Sequence, residues 1–238
     1  MKISLVVLLS LFTIISFGQN NPVIIELFTS QGCSSCPSAD KNLTEILEKA
    51  NKEGKPIYGL SFHVDYWNYI GWKDPYSNKA FTERQRNYAE QLSVRSIYTP
   101  QMIVNGREEF VGSNQSESNV AISSALKEKP SYEISLSEVK WGKGNLSFQY
   151  KLDKAPTNET INIAIVQNHA ENFVSRGENS GRKLSHDNVV KFFQTFSAKK
   201  NDSIQLTSLD LIPESYRLIL FIQDRQLHVT GAIAQTIF

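Results

Sequence analysis

Apolar positions change their period several times along the chain. Val23 to Thr29 (VIIELFT) is an almost continuous apolar, β-branched run, the pattern of a strand buried on both faces. After Ser30-Gln31-Gly32 and Cys33-Ser34-Ser35-Cys36-Pro37 the spacing turns helical. Leu43, Ile46, Leu47 and Ala50 fall at i, i+3, i+4 and i+7, and Gly54 supplies a stop. Pro56 to Val64 predicts a second apolar strand, followed by an aromatic loop from Asp65 to Tyr76 that contains Trp67, Tyr69, Trp72 and Tyr76. Ser77 or Asn78 can cap a second helix with Phe81, Gln85, Tyr88, Ala89 and Leu92 on one face. Gln101 to Val104 reads as a third strand, Asn105-Gly106 as a tight hairpin turn and Glu109 to Gly112 as the returning strand. Ser113 or Ser116 opens a last helix through Val120, Ala121, Ala125 and Leu126, stopped by Pro130.

The predicted order is β-α-β-α-β-β-α over residues 19–129, an α/β domain with parallel pairing and an antiparallel edge from the final hairpin. After Pro130 the pattern is mainly β. Tyr132–Val139, Leu146–Leu152, Ile161–Gln167, Ser203–Leu209, Tyr216–Gln223 and Leu227–Ile237 all read as strands. Arg176 to Phe196 interrupts them with a polar loop and a short helix expected at Val189 to Phe196. Residues 130–238 therefore predict a second, sandwich-like β domain.

The first eighteen residues stand apart. Lys2 gives a positive start, Ile3 to Phe17 are apolar apart from Ser and Thr, and Ser16-Phe17-Gly18 offers small residues at a cleavage site. This predicts a secretory signal over 1–18 and an exported protein, periplasmic or extracellular. The run is shorter than the ~20 residues a spanning helix needs, so no membrane span is expected after cleavage. The chain has 25 Lys and Arg against 24 Asp and Glu; removing Lys2 leaves 24 against 24. A neutral chain without a basic stripe is a poor partner for nucleic acid, whose affinity comes largely from phosphate neutralisation.

Export changes the meaning of the only two cysteines, Cys33 and Cys36. Exported thiols tend to be oxidised. A structural bridge over so short a loop constrains the unfolded chain by only about 2 kcal/mol. A reactive pair is the better reading. Placed between a buried strand and a helix, Cys33 is expected at the helix N-terminus, where the dipole and free amides favour a thiolate. Cys36, one turn on, is placed to resolve a mixed disulfide.

At these residues the chain resembles the thioredoxin-like superfamily. Tyr98-Thr99-Pro100-Gln101-Met102-Ile103-Val104-Asn105-Gly106 carries a proline, a strand and a turn in the order those proteins use. The resemblance implies a cis Thr99–Pro100 bond close to Cys33 and a Thr99 backbone open to substrate. ELFTSQGCSSCPSAD, SFHVDYWNYIGWKDP, RQRNYAEQL, YTPQMIVNGREEFVGS and RGENSGRKLSHDNVV look like a family of exported bacterial proteins of unknown function, over nearly the whole chain after the leader. Two departures from ordinary thioredoxins stand out. The aromatic segment lengthens the span from Cys33 to Pro100, and the position of the superfamily's buried acid holds Leu27, with Glu26 one residue earlier.

Glu26 has two readings, a buried acid serving the dithiol or a solvated strand-end carboxylate. His63 is a candidate proton acceptor or cation beside Cys33, or a hydrogen-bonded histidine ending its strand. Trp67 and Trp72 either rim a substrate site or bury the insertion. The Arg176–Arg182 loop reads as an ordered, ion-paired loop able to fold over the first domain; His186 beside it reads as structural.

Three functions compete: a thiol–disulfide oxidoreductase acting on protein thiols or disulfides of the cell envelope, a Cu(I)-handling protein using both thiolates and His63, and a binding module on an inert scaffold. No cofactor is expected for the first, with Cys33, Cys36 and Pro100 as its working residues and Thr99, Glu26 and His63 in support.

Overall fold

The computed structural model describes residues 21–142, 144–209, 211 and 215–237. The signal segment expected at 1–18 lies outside them.

The expected alternation is present in the first half. β1 (Val23–Thr29) is buried along its whole length, and α1 (Cys36–Glu53) follows, ended by Gly54 in the left-handed conformation. β2 (Ile57–His63) lies parallel to β1, and α2 (Lys79–Gln91) is capped by Asn78, whose side chain accepts from Ala80 N–H at 2.9 Å. β3 (Gln101–Val104) pairs antiparallel with β1, and β4 (Glu108–Val111) with β3. Asn105 and Gly106, both at positive φ, form the turn between β3 and β4; a Cβ on Gly106 would meet the Leu227 carbonyl at 2.0 Å, so the position also needs the missing side chain. α3 (Gln115–Ala125) is capped by Asn114 rather than by a serine.

The second half adds β5 (Ile134–Gly142), β6 (Asn145–Leu152), β7 (Thr160–Val174), β8 (Arg182–Ser197), β9 (Asn201–Leu206), β10 (Tyr216–Gln223) and β11 (Val229–Thr236). The helix expected at Val189–Phe196 is a correction: these residues are strand, paired with β7 from Thr160↔Ser197 to Val174↔Arg182. A short apolar run such as Val-Val-Lys-Phe-Phe fits either period, and its β-branched and aromatic residues suit the pleated surface that β7 presents.

β8 also pairs in parallel with β2 at Ser61↔Val189. One mixed eight-stranded sheet results, in the order β11-β10-β7-β8-β2-β1-β3-β4, beside a three-stranded antiparallel sheet β5-β6-β9. Residue 130 marks a change of composition, and the large sheet runs across it. Along β1 alternate residues face opposite sides: Val23, Ile25 and Leu27 pack under α1 and α3, while Ile24 and Phe28 pack with Phe81 and Tyr88 of α2. Along β7 and β10, Ile161, Ile163, Ile165, Leu218 and Leu220 meet the small sheet through Phe148, Tyr150 and Ile204. Helices and the small sheet thus divide one face of the large sheet, and α2 covers part of the other.

Candidate functional site

Cys33 and Cys36 form a disulfide, with Cα atoms 5.4 Å apart. The helix begins at the second cysteine: Ser35 is the N-cap residue, Pro37 occupies the first turn and Cys36 N–H donates to Cys33 O at 3.2 Å. Cys33 lies in the turn before α1 and is 1% exposed; Cys36 is buried as well.

Three segments wall the pair. The Thr99–Pro100 bond is cis, and Cys33 Sγ lies 3.8 Å from Thr99 O. The aromatic insertion adds Trp67, whose indole N–H donates to Thr99 Oγ1 at 2.7 Å, with Tyr69 stacked on it and 81% exposed. Trp72 is turned away from this rim and donates to Gln31 Oε1 at 3.1 Å.

The third wall is the tip of the β7–β8 hairpin, residues 175–181. Asn179 is buried, and its amide donates to Gln31 O at 3.0 Å and Cys33 O at 2.8 Å. Glu178 accepts the Ser34 N–H at 2.9 Å. Gly177, at φ 78°, lies so close to Ile70 that a Cβ would meet its Cδ1 at 2.8 Å. The polar loop singled out from sequence therefore folds over the dithiol.

His63 is buried on the α1 side of β2. Its Nδ1 lies 2.7 Å from Asp74 Oδ2, which also accepts Gln31 N–H at 2.8 Å. Burial works against the Asp74 charge, yet His63, Gln31 and Tyr76 outweigh it and hold its pKa below the usual carboxylate range. His63 Nε2 has no hydrogen-bond partner, and its ring meets that of His186 edge-to-face at 4.7 Å. His186 Nε2 lies 3.1 Å from Gln31 Nε2, and its Nδ1 lies 3.2 Å from Asp40 Oδ2, out of line for a hydrogen bond. Burial disfavours an imidazolium at His186, but Asp40 first, then Asp74 and Asp187, raise its pKa above the ordinary value. Asp40 follows Cys36 by one helical turn, is buried, and has both oxygens without a hydrogen-bond partner. Among the described residues no three His, Cys, Asp or Glu are grouped to hold a metal ion.

Glu26 is buried, which decides its burial but not in favour of the dithiol. It points to the face opposite α1, where Arg84 donates from Nε at 2.5 Å and Nη2 at 2.8 Å and Tyr88 donates its hydroxyl at 2.5 Å. The Arg84 guanidinium sits 4.5 Å from the Phe193 ring centroid and 5.1 Å from that of Tyr88. The structure thus brings together Cys33, Cys36, Thr99, Pro100 and the tip, sets His63 in a buried cluster behind Gln31, and separates Glu26. Sequence reasoning missed Asp40, though its spacing from Cys36 and Leu43 on one helix face was a signal.

Among the described residues no helix is long and apolar enough to cross a membrane. No curated protein matches the sequence. The crystal structure of protein AGR_C_4864 from Agrobacterium tumefaciens is similar, with a TM-score of 0.66 and 25% identity over 91% of this chain and 94% of that one. A β-glucuronidase from Ruminococcus gnavus aligns at 11% identity over 45% of this chain and 16% of its own, with a TM-score of 0.26. A family model described as a protein of unknown function (DUF1223) matches residues 24–223, and the chain belongs to that family.

Proposed function

We propose that this protein is a thiol–disulfide oxidoreductase of the cell envelope, built on a thioredoxin-like unit formed by β1 to α3. The observation that carries the reading is the convergence of three chain segments on one pair of sulfurs. Cys33 precedes the first turn of α1 and Cys36 opens it, and Thr99 O, next to the cis Pro100, lies 3.8 Å from Cys33 Sγ.

The exchange has two balanced steps. The Cys33 thiolate attacks a disulfide R–S–S–R′, forming Cys33–S–S–R and releasing R′–S⁻. The Cys36 thiolate then attacks the Cys33 sulfur, closes the Cys33–Cys36 bond and releases R–S⁻. The proton of each cysteine passes to solvent or to the released thiolate.

The test uses the reduced protein and glutathione disulfide. The wild-type chain should be oxidised to the internal disulfide. Cys36→Ser should stop at a stable mixed disulfide on Cys33, visible as one added glutathione by mass, and Cys33→Ser should form far less. Equal and slow adduct formation on both cysteines would sink the reading. The burial of both sulfurs favours a second reading, an inert scaffold for binding, and unreactive thiols in folded protein would support it.

A further inference from the structure

We infer that Glu178 is a charge latch on the dithiol, holding the hairpin tip closed while the disulfide is intact and loosening it when Cys33 becomes a thiolate. This rests on the proposed exchange at Cys33–Cys36 and concerns its regulation.

Ser34 N–H belongs to the residue directly after Cys33, in the turn that leads into α1. Amides and dipole at such a place stabilise a neighbouring anion. In the disulfide state the sulfur carries no charge, and the amide is already taken by the Glu178 carboxylate at 2.9 Å. Ser34, through side chain and backbone, favours the charged form of Glu178 and lowers its pKa. Reduction changes the balance. Two equivalents of a donor thiol convert the internal S–S bond into two thiols and leave as one disulfide. Cys33 then loses its proton to solvent, and the new thiolate is on the residue that directly precedes the amide held by the Glu178 carboxylate. Like charges side by side disfavour ionisation, so one of two things gives way: the Cys33 thiol stays protonated, or Glu178 withdraws.

The rest of the tip makes withdrawal of Glu178 consequential. Asn179 holds the carbonyls of Gln31 and Cys33 and is itself held by Arg182, whose Nη1 donates to Asn179 Oδ1 at 2.7 Å. The two bonds from Asn179 to these carbonyls join neutral groups and respond less to a charge on the sulfur than the Glu178 contact does. Glu178 is the contact with a sign that opposes the thiolate. It is exposed, and it comes from 144 residues further along the chain. Because Cys33 is 1% exposed between these walls, a folded client reaches it only after one of them moves, and the tip is the wall held by a charge. The latch therefore couples access to redox state: closed over the disulfide, eased over the dithiol that must meet the next substrate.

E178Q keeps the shape and removes the charge. With the pair reduced by a phosphine, the rate of Cys33 alkylation near pH 6 should rise about three- to tenfold in E178Q, the modest range of a screened exposed charge. High salt should move the wild-type rate in the same direction. Hydrogen exchange of residues 175–181 should quicken on reduction of the wild type, and this redox difference should shrink in E178Q. An unchanged Cys33 rate in E178Q overturns the latch, as does a tip whose exchange ignores the redox state. A wild-type protein inert to glutathione disulfide defeats the proposed function, while alkylation and hydrogen exchange, which need only the phosphine, still decide the latch.

Discussion

Two buried polar clusters lie on opposite faces of β1 and β2, and they differ in how far each satisfies its hydrogen bonds. On the α2 face, Glu26 receives both Arg84 nitrogens and the Tyr88 hydroxyl, and Gln223 binds Arg84, Tyr88 and Asn162. None of these side-chain atoms is left without a partner. On the α1 face, His63 Nε2, His186 Nδ1, both Asp40 oxygens and Thr29 Oγ1 are buried without a hydrogen-bond partner. An unsatisfied buried polar group costs roughly 1–3 kcal/mol. The Glu26 cluster is closed on itself, whereas the cluster beside Cys33 and Cys36 keeps buried polar atoms open.

The largest effect is expected on the satisfied side. Arg84→Met leaves the buried Glu26 carboxyl with the Tyr88 hydroxyl but without its ion-pair partner, and breaking a buried pair from one side costs about 3–5 kcal/mol. Chemical denaturation should show a loss of that order. The Cys33 alkylation rate in the folded variant should stay within twofold of wild type, since Arg84 acts on the far face. A stable Arg84→Met protein with altered dithiol chemistry would reverse the roles assigned to the two clusters.

Much of the contrast was written locally in the chain, and its other half was not. β1, β2 and β10 announce themselves as apolar β-branched runs because both of their faces are buried, so period carried the information. The Asn78 cap and the Asn105-Gly106 turn were legible for the same local reason. Val189–Phe196 was misread because its partners, Ile161 to Gln167, lie at the far end of a long hairpin, beyond any local window, and pairing decides between strand and helix for a run this short. Cys33, Cys36, Thr99 and Pro100 were visible as a motif with its companion. The Arg176–Arg182 loop was visible as one able to fold over the first domain, but its contacts were not, because Glu178 and Asn179 act through bonds to backbone atoms about 145 residues away, and backbone partners leave no mark in a sequence. Glu26 was visible as a charge in an apolar strand, but its direction follows from the alternation of β1 once the helices are placed.

A middle-sized effect is expected where the open cluster is anchored. Asp74 accepts from Gln31 and Tyr76 amides and pairs with His63. Asp74→Asn should cost about 1–3 kcal/mol, the usual cost of a buried polar group losing its partner. The sign with pH follows from the lowered pKa. The contribution of Asp74 is full above the ordinary carboxylate value near 3.9 and is lost as pH falls through its lower folded value. Denaturation midpoints from pH 7 to pH 2 should therefore converge for wild type and Asp74→Asn at the acid end. A gap that stays constant would mean the carboxylate charge contributes nothing.

The smallest net effect, and the one that discriminates best, is expected at Asp40. Its raised partner His186 titrates in the opposite sense. Stability from a charged His186 is fully present below the ordinary imidazole value near 6.5 and is lost as pH rises through the raised folded value. In acid, Asp40→Asn leaves a buried imidazolium with less compensation and should destabilise. In alkali His186 is neutral, the pairing with Asp40 is gone, and both buried Asp40 oxygens lack hydrogen bonds, so Asn should cost less there than in acid. The difference between wild type and Asp40→Asn should thus shrink, or change sign, as pH rises above the ordinary imidazole value near 6.5 and through the raised folded one. Paired denaturation curves across that range check it. A destabilisation that is large and flat with pH would make Asp40 another pin like Glu26, and the contrast between the two faces would be lost.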